Sequence, residues 1–220
     1  MFDLTLTFDN GPEPEVTGSV LDTLARHEIR ATFFVLGHKL AQPEARKLAE
    51  RAHAEGHWIG NHTWSHITPL GQLANPEDAE MEIARTQREL GDLAHPHRYF
   101  RPFGKGAHLD KRLLNAVALN YLVRERFTCV LWNAVPRDWE DADGWVARGL
   151  EECAAQSWSL VVLHDLPTGA MRHLDRFIGE VTARGGRFRQ DFPADCMPIV
   201  DGRTVLPIDR YLTRGPVSHS

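Results

Sequence analysis

Phe2-Asp3-Leu4-Thr5-Leu6-Thr7-Phe8-Asp9-Asn10-Gly11-Pro12 opens the chain, and its reading decides the fold. Phe2, Leu4, Leu6 and Phe8 alternate with Asp3, Thr5, Thr7 and Asp9, the period of a strand with two distinct faces. Gly11-Pro12 then stops the strand and turns the chain. A carboxylate, Asp9, is delivered to the strand's C-terminal end. Beside it stands an amide, Asn10, where a second carboxylate would have been as easy to place.

Outward from this strand, helix-like and strand-like runs alternate almost to the end of the chain. Apolar spacing predicts helices over 15–28, 43–55, 77–93, 110–120, 142–156 and 171–183. Between them lie short apolar strands over 31–36, 58–61, 99–101, 129–132 and 159–163, with a last strand over 187–192. Asn75-Pro76 opens the longest helix as cap and first turn. Such alternation with short connections predicts an α/β fold with mainly parallel strands. About seven βα units in 220 residues suit a distorted (β/α) barrel better than a full eightfold one, which takes roughly 250 residues. A doubly wound open sheet is the alternative. No glycine-rich phosphate-binding pattern follows any strand, so nucleotide binding is not expected.

A chain of this length buries one sizeable core, so a single domain over 1–220 is expected. Net charge is -5 with a pI near 6.2 and no long run of Lys or Arg, which gives nucleic-acid or anionic-membrane binding no electrostatic support. Cys129, Cys153 and Cys196 are odd in number and widely spaced, so neither a disulfide framework nor a cysteine zinc site is expected. No basic segment followed by an apolar one opens the chain, and no apolar run is long enough to span a bilayer. As written, the sequence reads as cytoplasmic.

The chemistry-bearing residues fall where strands are predicted to end. His62 and His66 stand four apart in Gly60-Asn61-His62-Thr63-Trp64-Ser65-His66, and neutral imidazoles at that spacing suit zinc and its neighbours. Alone, the pair reads equally well as a polar loop. Arg101-Pro102-Phe103-Gly104 follows the fourth strand, Asp138-Trp139 the fifth, and Leu163-His164-Asp165 ends the sixth. In parallel α/β folds the C-terminal strand ends form one rim, where active sites are built. Wet loops explain any one of these residues, but they do not select a base, two imidazoles, a cation and a further imidazole. Outside this set, His53 and His57 read as helix-terminal or surface groups. His95 and His97 read as loop residues without a carboxylate partner. Trp64 is the better candidate for stacking on a sugar, Asp165 for a helix cap or a partner of His62 or His66, and His108 lies close enough in sequence to reach the rim.

These segments resemble, in order and over nearly the whole chain, the motifs of the polysaccharide deacetylase family (the NodB-homology, carbohydrate esterase family 4 domain). Thr7 to Pro12 resembles its TFDDGP motif, His62 to His66 matches H-[ST]-x-x-H, and Arg101 to Gly104 is similar to the arginine motif. Asp138-Trp139 and Leu163 to Asp165 resemble the remaining two, and Ala31 to Gly37 its second strand. The resemblance implies a divalent metal, zinc first with cobalt or nickel as alternatives, held by Asn10, His62 and His66. It implies Asp9 as general base, Arg101 as its partner, and His164 as the acid supported by Asp138. Phe103 would lie at the oxyanion donor, Leu163 would line the acyl pocket and Trp139 one wall. The implied reaction removes an N-acetyl group from an N-acetylated sugar or polysaccharide. Hydrolysis of another small C–N amide and non-catalytic carbohydrate binding are the alternatives.

Asn10 departs from the family, whose aspartate is the third ligand there. An amide oxygen still coordinates but brings no charge, so metal affinity should fall while bound water becomes more acidic. A working enzyme with a different metal preference, a binding member without turnover, and an introduced Asp-to-Asn change all fit this residue. One proline rather than two precedes Phe103, and Val135-Pro136 stands where a polar residue is common.

Overall fold

The computed structural model describes residues 1–213. In chain order its strands are β1 (Phe2–Asp9), β2 (Thr32–Val35), β3 (Trp58–Asn61), β4 (Tyr99–Phe100), β5 (Thr128–Cys129), β6 (Trp158–His164), β7 (Gly186–Arg189), β8 (Ile199–Val200) and β9 (Arg203–Thr204). Its α-helices are α1 (Thr17–Arg26), α2 (Gly37–Leu40), α3 (Pro43–Ala54), α4 (Asp78–Leu90), α5 (Ala116–Arg124), α6 (Trp145–Ala154) and α7 (Leu174–Ala183). The fold is α/β, a curled and mostly parallel sheet in the order β6-β1-β2-β3-β4-β5-β8-β9, with helices outside it. Among the described residues only the β5–β8 and β8–β9 pairs are antiparallel. Across the remaining gap Ala134 bridges to Val161, its carbonyl accepting from the Val162 N–H at 3.0 Å. That single bridge is the distortion from a regular barrel.

β1 is the centre of the sheet because it pairs with three strands. β6 runs beside it in the register Asp3↔Trp158 to Asp9↔His164, while β7 covers its start and β2 its end. Leu4, Leu6 and Phe8 point to the main core under the helices, and Phe8 stacks on Phe33 at 5.1 Å. Thr5, Thr7 and Asp9 therefore face the concave interior. A smaller cluster of Phe34, Tyr99, Val130, Leu160, Phe192 and Cys196 forms a separate apolar core. Burying each large apolar side chain contributes about 1.5–3 kcal/mol. All three cysteines are buried and free.

Local signals set both ends of α3 and the start of α5. α3 starts on Pro43 at its first turn, buries Ala45, Ala49 and Ala52, and is followed by Gly56 at φ 86°. The helix expected over 110–120 lies instead at Ala116–Arg124. Asn115 caps it by accepting from the Ala118 N–H at 2.8 Å, while Leu113 and Leu114 pack in the core ahead of it. α2, β8 and β9 carry too few residues for periodicity to reveal. Among the described residues no helix is long and apolar enough to cross a membrane.

Candidate active site

The parallel register carries the C-terminal ends of β1, β3, β4 and β6 to one rim. There Asp9, Asn10, His62, His66 and His164 line a cavity of about 240 Å³. Asp9 is buried, and its Oδ1 accepts from Arg101 at 2.8 Å. Arg101 is wholly buried among acceptors: the Thr7 hydroxyl at 2.6 Å and the Val130 and Leu131 carbonyls, both at 3.2 Å. Its guanidinium also lies 4.1 Å from the centre of the Phe34 ring. A buried cation needs this full set of partners, because desolvation otherwise exceeds what one ion pair returns. Arg101 thus fixes Asp9 and leaves Oδ2 directed past it, 3.6 Å from His62 Nε2.

His62 is buried, and its Nδ1–H donates to the Arg101 carbonyl at 2.8 Å. That bond sets the tautomer and leaves the Nε2 lone pair free. Burial presses the His62 imidazole below its ordinary pKa against the opposing pull of Asp9. Burial, reinforced by His62 and His164, takes His66 down to about 2. The two rings lie 4.8 Å apart, and His66 rests 3.7 Å from the Phe103 ring. Asn10 sits in the left-handed region at φ 73°, which asparagine tolerates better than most residues, and its buried Oδ1 has no hydrogen-bond partner. Among the described residues no three His, Cys, Asp or Glu side chains converge as a metal site. The oxygen beside the two imidazoles is an amide instead. Two neutral nitrogens and an unpartnered amide oxygen on one cavity nevertheless form a donor set that fits a zinc-like divalent ion.

On the opposite side, Asp138 is wholly buried and grips His164 twice. Its Oδ2 accepts from the His164 backbone N–H at 2.9 Å, and its Oδ1 accepts from the ring Nδ1–H at 2.9 Å. Burial alone would lower the His164 pKa, but the Asp138 bond, together with the charges of Asp138, Asp9 and Asp165, outweighs it and raises the ring. Trp139 meets His164 edge-on at 4.8 Å.

The structure thus brings nine of the ten expected site residues together: Arg101 and Asp138 bond to residues lining the cavity, and the other seven line it themselves. Leu163 is the exception. Strand alternation turns it outward into the main core, and Val162 lines the cavity instead. Trp132 and Val135 complete the apolar wall, with Trp132 donating its indole N–H to the Ala107 carbonyl at 3.3 Å. Val162 is legible from sequence, two residues before His164 on one strand face; Trp132 at the end of the 129–132 run and Val135 beside Pro136 carry no periodic signal that turns them to the cavity.

Several further expectations are corrected. Trp64 is not an open platform: Arg85 covers its ring at 3.6 Å, and the ring packs so close to Gly37 that a Cβ there would not fit. Asp165 is bonded to neither His62 nor His66. It is buried against Gly11, which must lack a Cβ there, and accepts from the Thr17 hydroxyl at the start of α1. His97 does have a carboxylate partner, Asp201, at 2.8 Å. His57 is buried, its Nδ1 accepting from the Ala31 N–H at 3.0 Å. His108 is absent from the cavity lining.

The family model described as Polysaccharide deacetylase matches residues 3–123. The peptidoglycan-N-acetylglucosamine deacetylase PgdA of Listeria monocytogenes is 28% identical over 187 residues, covering 84% of this chain but only 37% of its own length. The chitooligosaccharide deacetylase of Rhizobium leguminosarum bv. trifolii is 36% identical over 172 residues, 74% of this chain and 71% of that protein. A family 4 acetyl xylan esterase from Clostridium thermocellum, solved in complex with a cobalt ion, superposes with a TM-score of 0.70 at 26% identity, over 86% of this chain and 87% of that one. The motif-bearing strand ends, the family match and these relatives agree, and the chain belongs to the polysaccharide deacetylase family.

Proposed function

We propose that this chain is a metal-dependent hydrolase that removes an N-acetyl group from an N-acetylated sugar, with residues 1–220 forming one such domain. The observation that carries the reading is the pairing of a fixed carboxylate, Asp9 on Arg101, with a carboxylate-supported imidazole, His164 on Asp138, across one cavity. Asn10, His62 and His66 would hold the divalent ion. When bound, that ion would supply Lewis acidity, making a water acidic and polarising the acyl oxygen.

The chain's own groups supply the proton transfers. Asp9 Oδ2, the oxygen not engaged by Arg101, accepts the proton of the attacking water. His164 enters as the imidazolium. Its Nδ1–H stays on Asp138, so Nε2–H is the proton delivered to the departing amine. Phe103 and Trp139 form walls that exclude bulk water, and Val162, Trp132 and Val135 offer an apolar pocket for a small acyl group.

Asn10 favours a second reading, a sugar-binding member without turnover, because it removes the charge that a third carboxylate ligand would bring. The two separate in one assay. The metal-free protein is given zinc, cobalt or nickel, and acetate release is followed from N-acetyl chitooligosaccharides beside formylated and ureido compounds. Acetate from the sugars supports the deacetylase. Product from the other compounds alone points to a small-amide hydrolase. Sugar binding without product under every metal points to the binding member.

A further inference from the structure

The loop that carries both metal-site imidazoles is held in an uncommon conformation. Thr63 and His66 take left-handed φ values of 70° and 53°, which cost non-glycine residues roughly 1–2 kcal/mol each. Strand-side contacts hold its start. The His62 N–H donates to the Val35 carbonyl at 3.0 Å, the Gly37 N–H to the Thr63 carbonyl at 3.0 Å, and the Thr63 N–H to Asn61 Oδ1 at 3.0 Å.

The next two amides, those of Trp64 and Ser65, have a different partner. Glu82 on α4 accepts from the Trp64 N–H at 3.0 Å and the Ser65 N–H at 2.8 Å, both on its Oε2. Three residues further along α4, Arg85 lies over the Trp64 ring at 3.6 Å. Between them, the Ile83 carbonyl accepts from Asn61 Nδ2 at 2.9 Å. One helix therefore grips the loop at Asn61, Trp64 and Ser65. The central contact is a carboxylate shared by two N–H donors, the charge-assisted kind of hydrogen bond.

We propose that Glu82 is a positioning residue for the metal site, fixing the separation and ring directions of His62 and His66 through the Trp64 and Ser65 amides between them. The inference rests on the reading of those histidines as metal ligands. A helix anchored in the second core cluster through Ile83 and Ala84 is a rigid base for such a clamp. Partners that orient metal ligands are typically worth 10–100-fold in metal affinity.

The test titrates cobalt into metal-free wild type, His62→Ala, Glu82→Ala and Glu82→Gln. It reads the dissociation constant and the visible cobalt bands, with the thermal midpoint of each metal-free protein measured beside them. The wild type should bind and His62→Ala should lose binding. Glu82→Ala should then weaken cobalt affinity by ~10–100-fold and alter the bands, while Glu82→Gln, which keeps an acceptor oxygen, should fall between the two. Wild-type affinity and unchanged bands in Glu82→Ala would overturn the proposal, whatever its thermal midpoint. If Glu82→Ala does not fold, Glu82→Gln decides: weakening of ~3-fold or more supports the clamp, and unchanged affinity overturns it. A wild type that binds no cobalt, or binds it as well after His62→Ala, overturns the metal reading itself and this inference with it.

Discussion

The two sides of the cavity are built on opposite principles. At the β6 side a wholly buried carboxylate, Asp138, takes both the backbone N–H and the ring Nδ1–H of His164, so charge and geometry are fixed together. At the β1 and β3 side the expected ligands are all neutral: two imidazoles whose pKa is pressed down, and an amide with an unpartnered oxygen. Asp9 stands between the sides as the one carboxylate lining the cavity among the described residues, and Arg101 engages half of it. The contrast teaches that one side of the cavity holds an imidazole with a fully buried carboxylate partner, whereas the other offers only donors that bring no charge.

The largest effect should come from breaking the proton-transfer side. His164→Ala should lower acetate release by ~10²–10⁴-fold while cobalt content stays at the wild-type level. A parallel loss of metal would show that the two sides are not separable. Arg101→Leu comes next, since it strands Asp9 as an unpaired buried charge. Loss of a buried partner costs about 3–5 kcal/mol, and each kcal/mol lowers the melting temperature by about 2–4 °C in a chain of this size. An unchanged midpoint would mean that the pair contributes nothing to stability.

Asn10→Asp sharpens the comparison from the metal side. Opposite unit charges 4 Å apart gain about 4 kcal/mol at a surface-like dielectric, so cobalt affinity should rise by ~10-fold or more. Equal affinity in the two proteins would remove residue 10 from the ligand set. The smallest effect is a pH slope. Burial raises the Asp165 carboxyl from 3.8 to about 7. Between those values the native chain keeps a proton that the unfolded chain has released, so this group's contribution to stability falls as pH rises through the window. Asp165→Asn should remove that slope, about 1.4 kcal/mol per pH unit inside the window. His57 and His66, both held neutral, act oppositely and withdraw stability as pH falls below 6.5, so the readout is the difference between variant and wild type.

The rim was legible in sequence because strand ends are punctuated locally. Alternation in Phe2 to Asp9 and the turn at Gly11-Pro12 place Asp9 without any knowledge of the sheet. The parallel α/β class followed from the same alternation of runs. What stayed hidden depends on contacts distant in sequence. Glu82 meets Trp64 and Ser65 from 18 and 17 residues away, and Asp201 meets His97 from 104 away, with no local pattern to announce either. Leu163 shows the reverse case. The period-two rule that located Asp9 also turns Leu163 outward and Val162 inward, and the motif resemblance alone obscured that alternation.

Both sides of the cavity meet in one proposed reaction, hydrolysis of an N-acetyl group with a divalent ion held at Asn10, His62 and His66. Acetate release from an N-acetyl chitooligosaccharide, followed in the chelated protein before and after adding cobalt or zinc, tests it most directly. Turnover that is lost on chelation, restored by metal and abolished in His62→Ala is the predicted result. Retained sugar binding with no acetate under zinc, cobalt or nickel would contradict it.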